Sequence, residues 1–110
     1  MDPLRSVKLI HTLIWAFIVA CIVAIPLFTA LSRFHLAAFF AAVVAVEVAV
    51  LLLNGMTCPL TNVAARHTSD RRANFDIYLP EWLARNNKTI FGTLYVVATL
   101  LLLARWVASP

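Results

Sequence analysis

The sequence predicts an all-α integral membrane protein with three transmembrane helices and a helical loop on the cytoplasmic interface, all in one membrane domain spanning residues 1–110. Three observations lead there. Of the residues, 63% are hydrophobic and 13% charged, whereas soluble domains are roughly 45–50% apolar and about 25% charged; the mean hydropathy is +0.90. Three apolar runs each approach or exceed the roughly 20 residues needed to cross a bilayer. Basic residues are divided unevenly between the segments joining those runs. The same composition speaks against a soluble enzyme, a disordered tail and a disulfide scaffold, because 2 cysteines make no framework and 2 glycines leave little for a phosphate-cradling loop.

The first run extends from Val7 to Leu31 and carries no charged residue after Lys8 until its end. Pro26, in its last third, removes one backbone donor and should kink the helix. The run is longer than the apolar stretch of a signal peptide, about 7–15 residues, and is followed almost directly by another, so it is expected to remain as a span. The second run, Phe34 to Leu53, is interrupted by a single charge, Glu47; the third, Thr89 to Val107, is uncharged until Arg105.

With three spans, the N-terminal segment and the loop 55–88 share one side of the membrane. They hold Arg5, Lys8, Arg66, Arg71, Arg72, Arg85 and Lys88, while the other side has only Arg33 and Arg105. Positive residues stay inside, which places the N-terminus and the loop in the cytoplasm and the C-terminus outside. The net charge of +4 is therefore a topology signal. No basic face flanked by base-reading side chains is available, and nucleic acid is not an expected partner; the lipid bilayer is.

Within the loop, Thr57-Cys58-Pro59 reads as the start of a short helix, with proline near the first position, where its missing N–H costs nothing. Ser69 to Arg72 reads as a solvated turn. Phe75, Tyr78 and Trp82 are expected as anchors at the headgroup level, Pro80 as the start of a helical turn, and Asn86-Asn87-Lys88 as a break before the third span.

A carboxyl inside a span costs roughly 2.5–3.5 kcal/mol on insertion scales and usually faces protein or a water cavity. Glu47 lies roughly 10 Å inside the cytoplasmic end of the second helix, and His11 about 6 Å inside the same end of the first. Thr93 enters the third helix at a similar level. Depth alone thus predicts a buried polar cluster of His11, Glu47 and Thr93. It could relay protons or hold a quinone headgroup; equally, a single His–Glu hydrogen bond could simply fix the register of two helices.

Ala37, Ala41, Ala45 and Ala49 form a small-residue ridge that permits close helix approach. Glu47 falls almost opposite that ridge, so the alanines are expected to be free for a second copy or another membrane subunit. Gly92, Tyr95, Thr99 and Trp106 make a less apolar seam on the third helix. Cys21 lies mid-bilayer, and Cys58, though accessible, has no partner at nucleophile spacing, so neither a disulfide nor a cysteine hydrolase is expected and no catalytic residue is assigned. His11, Cys58 and His67 are too scattered for a structural zinc site, so no metal site is assigned. Haem between His11 and His67 is geometrically allowed, whereas His35 opens the second helix at the opposite face.

The segment Met56-Thr57-Cys58-Pro59-Leu60-Thr61, directly after an apolar helix bearing an acid, resembles a family of small three-span bacterial inner-membrane proteins of unknown function. Members carry a histidine early in the first helix, another opening the second, a glutamate late in the second, and Cys-Pro-Leu-Thr beyond it. His11, His35, Glu47 and Cys58-Pro59-Leu60-Thr61 stand at those places. The resemblance implies the bacterial inner membrane and the three-span topology, but no reaction. The expected function is that of a structural or accessory component that self-associates or docks on a larger membrane complex. The alternatives are a haem- or quinone-binding proton-relay subunit using His11 and Glu47, and an oligomeric proton-coupled small exporter.

Overall fold

The computed structural model describes residues 2–109, and among these every regular element is helical. The elements are α1 (Pro3–Ala30), α2 (Phe34–Leu53), α3 (Pro59–Ala65) and α4 (Glu81–Ala108). Three of them, α1, α2 and α4, are long and apolar enough to cross a membrane, which is the character of a multi-pass membrane protein. At about 1.5 Å per residue a 28-residue helix is about 42 Å long, more than the ~30 Å of hydrocarbon. The surplus turns of α1 and α4 lie at the same end of the bundle and frame the long connection.

The start of α1 is set by Asp2, whose Oδ1 accepts the Leu4 N–H at 3.0 Å, and by Pro3 at the first helical position. α3 begins as its sequence predicts, with Cys58 as N-cap and Pro59 as first residue. The third span differs from expectation. It begins at Glu81 rather than Thr89, and Asn86-Asn87-Lys88 does not break it. The amides find partners that leave the helix intact: Asn86 Nδ2 donates to Trp82 O at 2.8 Å, and Asn87 Oδ1 accepts from Trp15 Nε1 at 2.8 Å. The predicted loop 55–88 is thus α3, an irregular stretch, and the first two turns of α4.

α1 is the central helix, packing against α2, α4 and α3. Towards the α1–α2 turn, Ile25, Ala37, Ala98 and Leu102 form a buried core with Phe28, Phe40, Tyr95 and Trp106 against it. Cys21, Ile22 and Val44 form a second core nearer the loop. Lipid offers apolar side chains as good an environment as another helix does, so close backbone approach and interhelical hydrogen bonds must hold such a bundle. Ala37 and Ala98 provide the first; Tyr95 Oη donating to Ala41 O (3.0 Å) and Arg105 Nη1 donating to Thr29 O (2.9 Å) provide the second.

This packing corrects the expectation of a free alanine ridge. Ala37 is wholly buried and Ala41 half-buried, whereas Ala45 and Ala49 are exposed. Positions four apart advance about 40° around a helix, so the ridge winds from the α4 interface to the outside instead of keeping to one face. The connection after α2 turns through Gly55 (φ 64°) and Met56 (φ 63°), both left-handed. Glycine carries no penalty there. At Met56 the turn is fastened by its N–H donating to Leu51 O at 2.6 Å and by Lys88 Nζ donating to its carbonyl.

Candidate functional site

The polar centre of the molecule is built where the irregular stretch before α4 returns to the first turns of α1. Asp76 lies there and is only 6% exposed. Its main-chain oxygen accepts from His11 Nδ1 at 3.0 Å, and its carboxylate Oδ2 stands 3.6 Å from the same nitrogen. Oδ2 also accepts the Thr61 hydroxyl of α3. One acid therefore ties α1, α3 and the connection together. The next residue of α1 adds a second tie: Thr12 Oγ1 accepts the Tyr78 N–H at 2.9 Å while donating to Lys8 O at 2.7 Å. The Lys8 ammonium lies 4.5 Å from the Tyr78 ring centroid, a cation–π contact. One turn further on, Trp15 donates to Asn87 as described above.

The Cys58 thiol and the His11 imidazole line the same cavity, close enough to influence one another. Burial pushes this thiol up, but the nearby His11 imidazole and the Leu60 N–H together hold it below an ordinary thiol. With Nδ1–H given to the Asp76 carbonyl, the imidazole keeps Nε2 as its only free acceptor. Outside the cluster, Asp70 in the solvated turn is drawn down to about 2 by the Arg72 guanidinium, which forks onto its carboxylate at 3.1 and 2.8 Å.

Beneath the cluster is a cavity of about 520 Å³ between α1, α2 and α4. Its mouth is polar, with His11, Glu47, Cys58, Thr61, Asp76, Asn87 and Lys88; its depth is apolar, with Ile18, Ile22, Val44, Val48 and Phe91, and Tyr95 beside them. A small polar mouth over apolar walls is the make-up of a small-molecule site.

The expected polar cluster is thus found in altered form. His11 and Glu47 line the same cavity, but among the described residues the ion pair that His11 makes is with Asp76. Thr93 is exposed and points away from the cavity, because it follows Gly92 on a helix whose inward positions here are Phe91 and Tyr95. Within the Cys-Pro-Leu-Thr motif, Cys58 and Thr61 enter the cavity while Pro59 starts the helix and Leu60 is half-buried. Trp82 and Tyr78 are exposed, at 60% and 48%. Phe75 is turned partly inward, lining the cavity mouth with Arg71 5.2 Å from its ring.

Cys58 was not expected to have a partner, and the structure gives it one. Depth placed His11 beside Glu47 on antiparallel helices, but the turn at Gly55 and Met56 folds α3 back so that Cys58 reaches the imidazole. Asp76 was missed as a site residue. Its signal was the context Phe75-Asp76-Ile77-Tyr78, a carboxylate in the middle of an otherwise apolar stretch, where burial requires a partner. For haem, the histidines do not come together: His35 packs on Trp106 at the far end with ring centroids 5.2 Å apart, and His67 is exposed outside the cavity. Among the described residues no three His, Cys, Asp or Glu side chains are placed to hold a metal ion.

Comparison with known proteins returns no match among family models, curated proteins or solved structures.

Proposed function

We propose that the protein is a small accessory component of the bacterial inner membrane that binds an amphipathic small molecule, with its apolar part between α1, α2 and α4 and its polar head at His11, Glu47 and Asp76. The observation that carries this reading is the cavity itself, whose charged and titratable side chains His11, Glu47, Cys58, Asp76 and Lys88 gather towards one end and whose remaining wall is mostly apolar residues of the three long helices. The concentration of basic residues at the same end supports a cytoplasmic mouth, with the N-terminus inside and the C-terminus outside. The Cys58-Pro59-Leu60-Thr61 motif supports kinship with the three-span family described above. A quinone is the ring-headed member of the ligand class, and the Asn87 amide and Lys88 ammonium are donors available to its carbonyls.

Native mass spectrometry of the protein released from mild detergent tests the reading. One amphiphile retained per chain is expected, and Val48→Trp, which fills the apolar part of the cavity, should abolish its retention. Release of the wild-type chain and the variant with the same empty mass would overturn the proposal. An absorbance spectrum of the extracted ligand distinguishes a quinone from an acyl lipid.

A further inference from the structure

Cys58 is the one thiol at the mouth of the cavity among the described residues, and it does not stand alone. His11 lines the same mouth and acts on the thiol from beside it, and His11 is itself oriented by Asp76, whose main-chain oxygen accepts from Nδ1 at 3.0 Å. Thr61 fixes the Asp76 carboxylate in turn. Nucleophile, base and orienting group, each positioned by the next, make up the arrangement that activates a thiol or hydroxyl for attack at a carbonyl. It is assembled from α1, α3 and the connection before α4, which is why no sequence spacing reveals it.

The surroundings select the electrophile. Any molecule seated below Cys58 has its chain among Ile18, Ile22, Val44 and Val48, between helices that cross the bilayer. Its reacting carbon must then lie at the headgroup end of a long apolar chain. Lys88 at the mouth, and the exposed Arg66, Arg71 and Arg72 of the connection, favour a carrier bearing phosphates on the water side. A long-chain acyl thioester on a phosphorylated carrier meets all three conditions, and exchange between two thioesters requires neither an oxidant nor a cofactor.

We propose that Cys58, with His11 as its base and Asp76 orienting His11, accepts a long-chain acyl group from an acyl thioester whose chain lies in the cavity. His11 Nε2 takes the thiol proton and the Cys58 sulfur attacks the thioester carbonyl. A new S–C bond forms at Cys58, the carrier's C–S bond breaks, and the departing carrier thiolate takes the proton back from His11. The proposal rests on the amphiphile-binding reading above and specifies its ligand.

The test uses the full chain in nanodiscs, incubated with palmitoyl-coenzyme A and read by peptide mass spectrometry before and after neutral hydroxylamine. A hydroxylamine-labile palmitoyl adduct is expected on Cys58 and not on Cys21, which is buried in the helix core. Cys58→Ser should lose this adduct, and His11→Gln should form it at least tenfold more slowly.

Because His11→Gln also removes the tie to Asp76, iodoacetamide alkylation of the wild-type chain across pH provides a second measurement. The groups facing Cys58 are His11 of α1, Glu47 of α2, Asp76 of the connection and Lys88 of α4. The thiolate is the reactive form, so alkylation should rise with pH through a midpoint below that of an ordinary thiol. An ordinary midpoint, or an absent or equal adduct on both cysteines, overturns the proposal. Retention of an amphiphile by a chain that forms no adduct would overturn the acyl transfer and leave the binding reading standing; loss of both would remove both.

Discussion

At the end formed by the α1–α2 turn and the C-terminus of α4, the helices meet through shape. Phe28 stacks on Phe40 with ring centroids 5.6 Å apart, Phe34 stacks on Trp106 at 5.9 Å, and Ala37 and Ala98 let the backbones approach. At the opposite end they meet through polar groups: His11 with Asp76, Thr61 with Asp76, Thr12 with Tyr78, Trp15 with Asn87. The first end carries an open recess of about 610 Å³ lined by Ser32, Phe34, Arg105, Trp106, Ala108 and Ser109, with no histidine, cysteine or carboxylate in its lining. The second leaves a cavity, because hydrogen bonds at its rim tie α1 to α4 and to the connection without requiring the helices to fill the space between. The difference shows two ways of assembling a small helical protein: mainly aromatic stacking and close backbone approach at one end, and directional bonds around a cavity at the other.

That division can be broken from either side. Asp76→Ala removes the buried carboxylate that accepts from Thr61 and stands 3.6 Å from His11 Nδ1, while keeping the main-chain acceptor of His11, and should destabilise the fold by ~2–3 kcal/mol. Unfolding in a graded detergent mixture measures the loss. Amide exchange should rise at Tyr78 while the aromatic end stays protected, and uniform loosening along the whole bundle would contradict the independence of the two ends. Ala37→Leu is the converse perturbation. Three carbons inserted at a wholly buried position should cost about 1–3 kcal/mol, whereas Ala45→Leu, on the exposed part of the same ridge, should change stability by less than ~0.5 kcal/mol. Equal effects would show that the ridge does not wind as described. At the turn after α2 the expected effect lies between these two. Nothing lies within 4 Å of a Cβ built on Gly55, so Gly55→Ala should cost only the left-handed backbone penalty, about 1 kcal/mol, in the same unfolding assay, with cavity binding retained.

Much of this architecture is legible in the chain. The three apolar runs, the single acid Glu47 within the second of them, the proline that starts α3 and the basic bias of one end each follow from local composition, because the cost of placing charge or unpaired backbone in hydrocarbon is set residue by residue. The alanine ridge was read correctly as a packing surface but assigned to the wrong neighbour, since a spacing of four drifts around the helix and only the bundle decides which part of the drift meets α4. Likewise, the polarity of Asn86-Asn87-Lys88 suggested a break, but Trp15 and the Trp82 carbonyl, one distant in sequence and one near, satisfy the amides within a continuous helix.

By itself, then, the sequence determined how many helices are apolar enough to span, where the lone acid sits in them and which end is basic, all of which depend on solvation of single segments. Tertiary structure decided the partners. Asp76 rather than Glu47 orients His11, Cys58 acquires a base that lies 47 positions before it in the chain, and Thr93 is left outside. Those outcomes depend on a left-handed turn at Gly55 and Met56 and on a connection that folds back onto α1, and hydrogen bonds between segments so far apart leave no period or spacing in the sequence from which to read them.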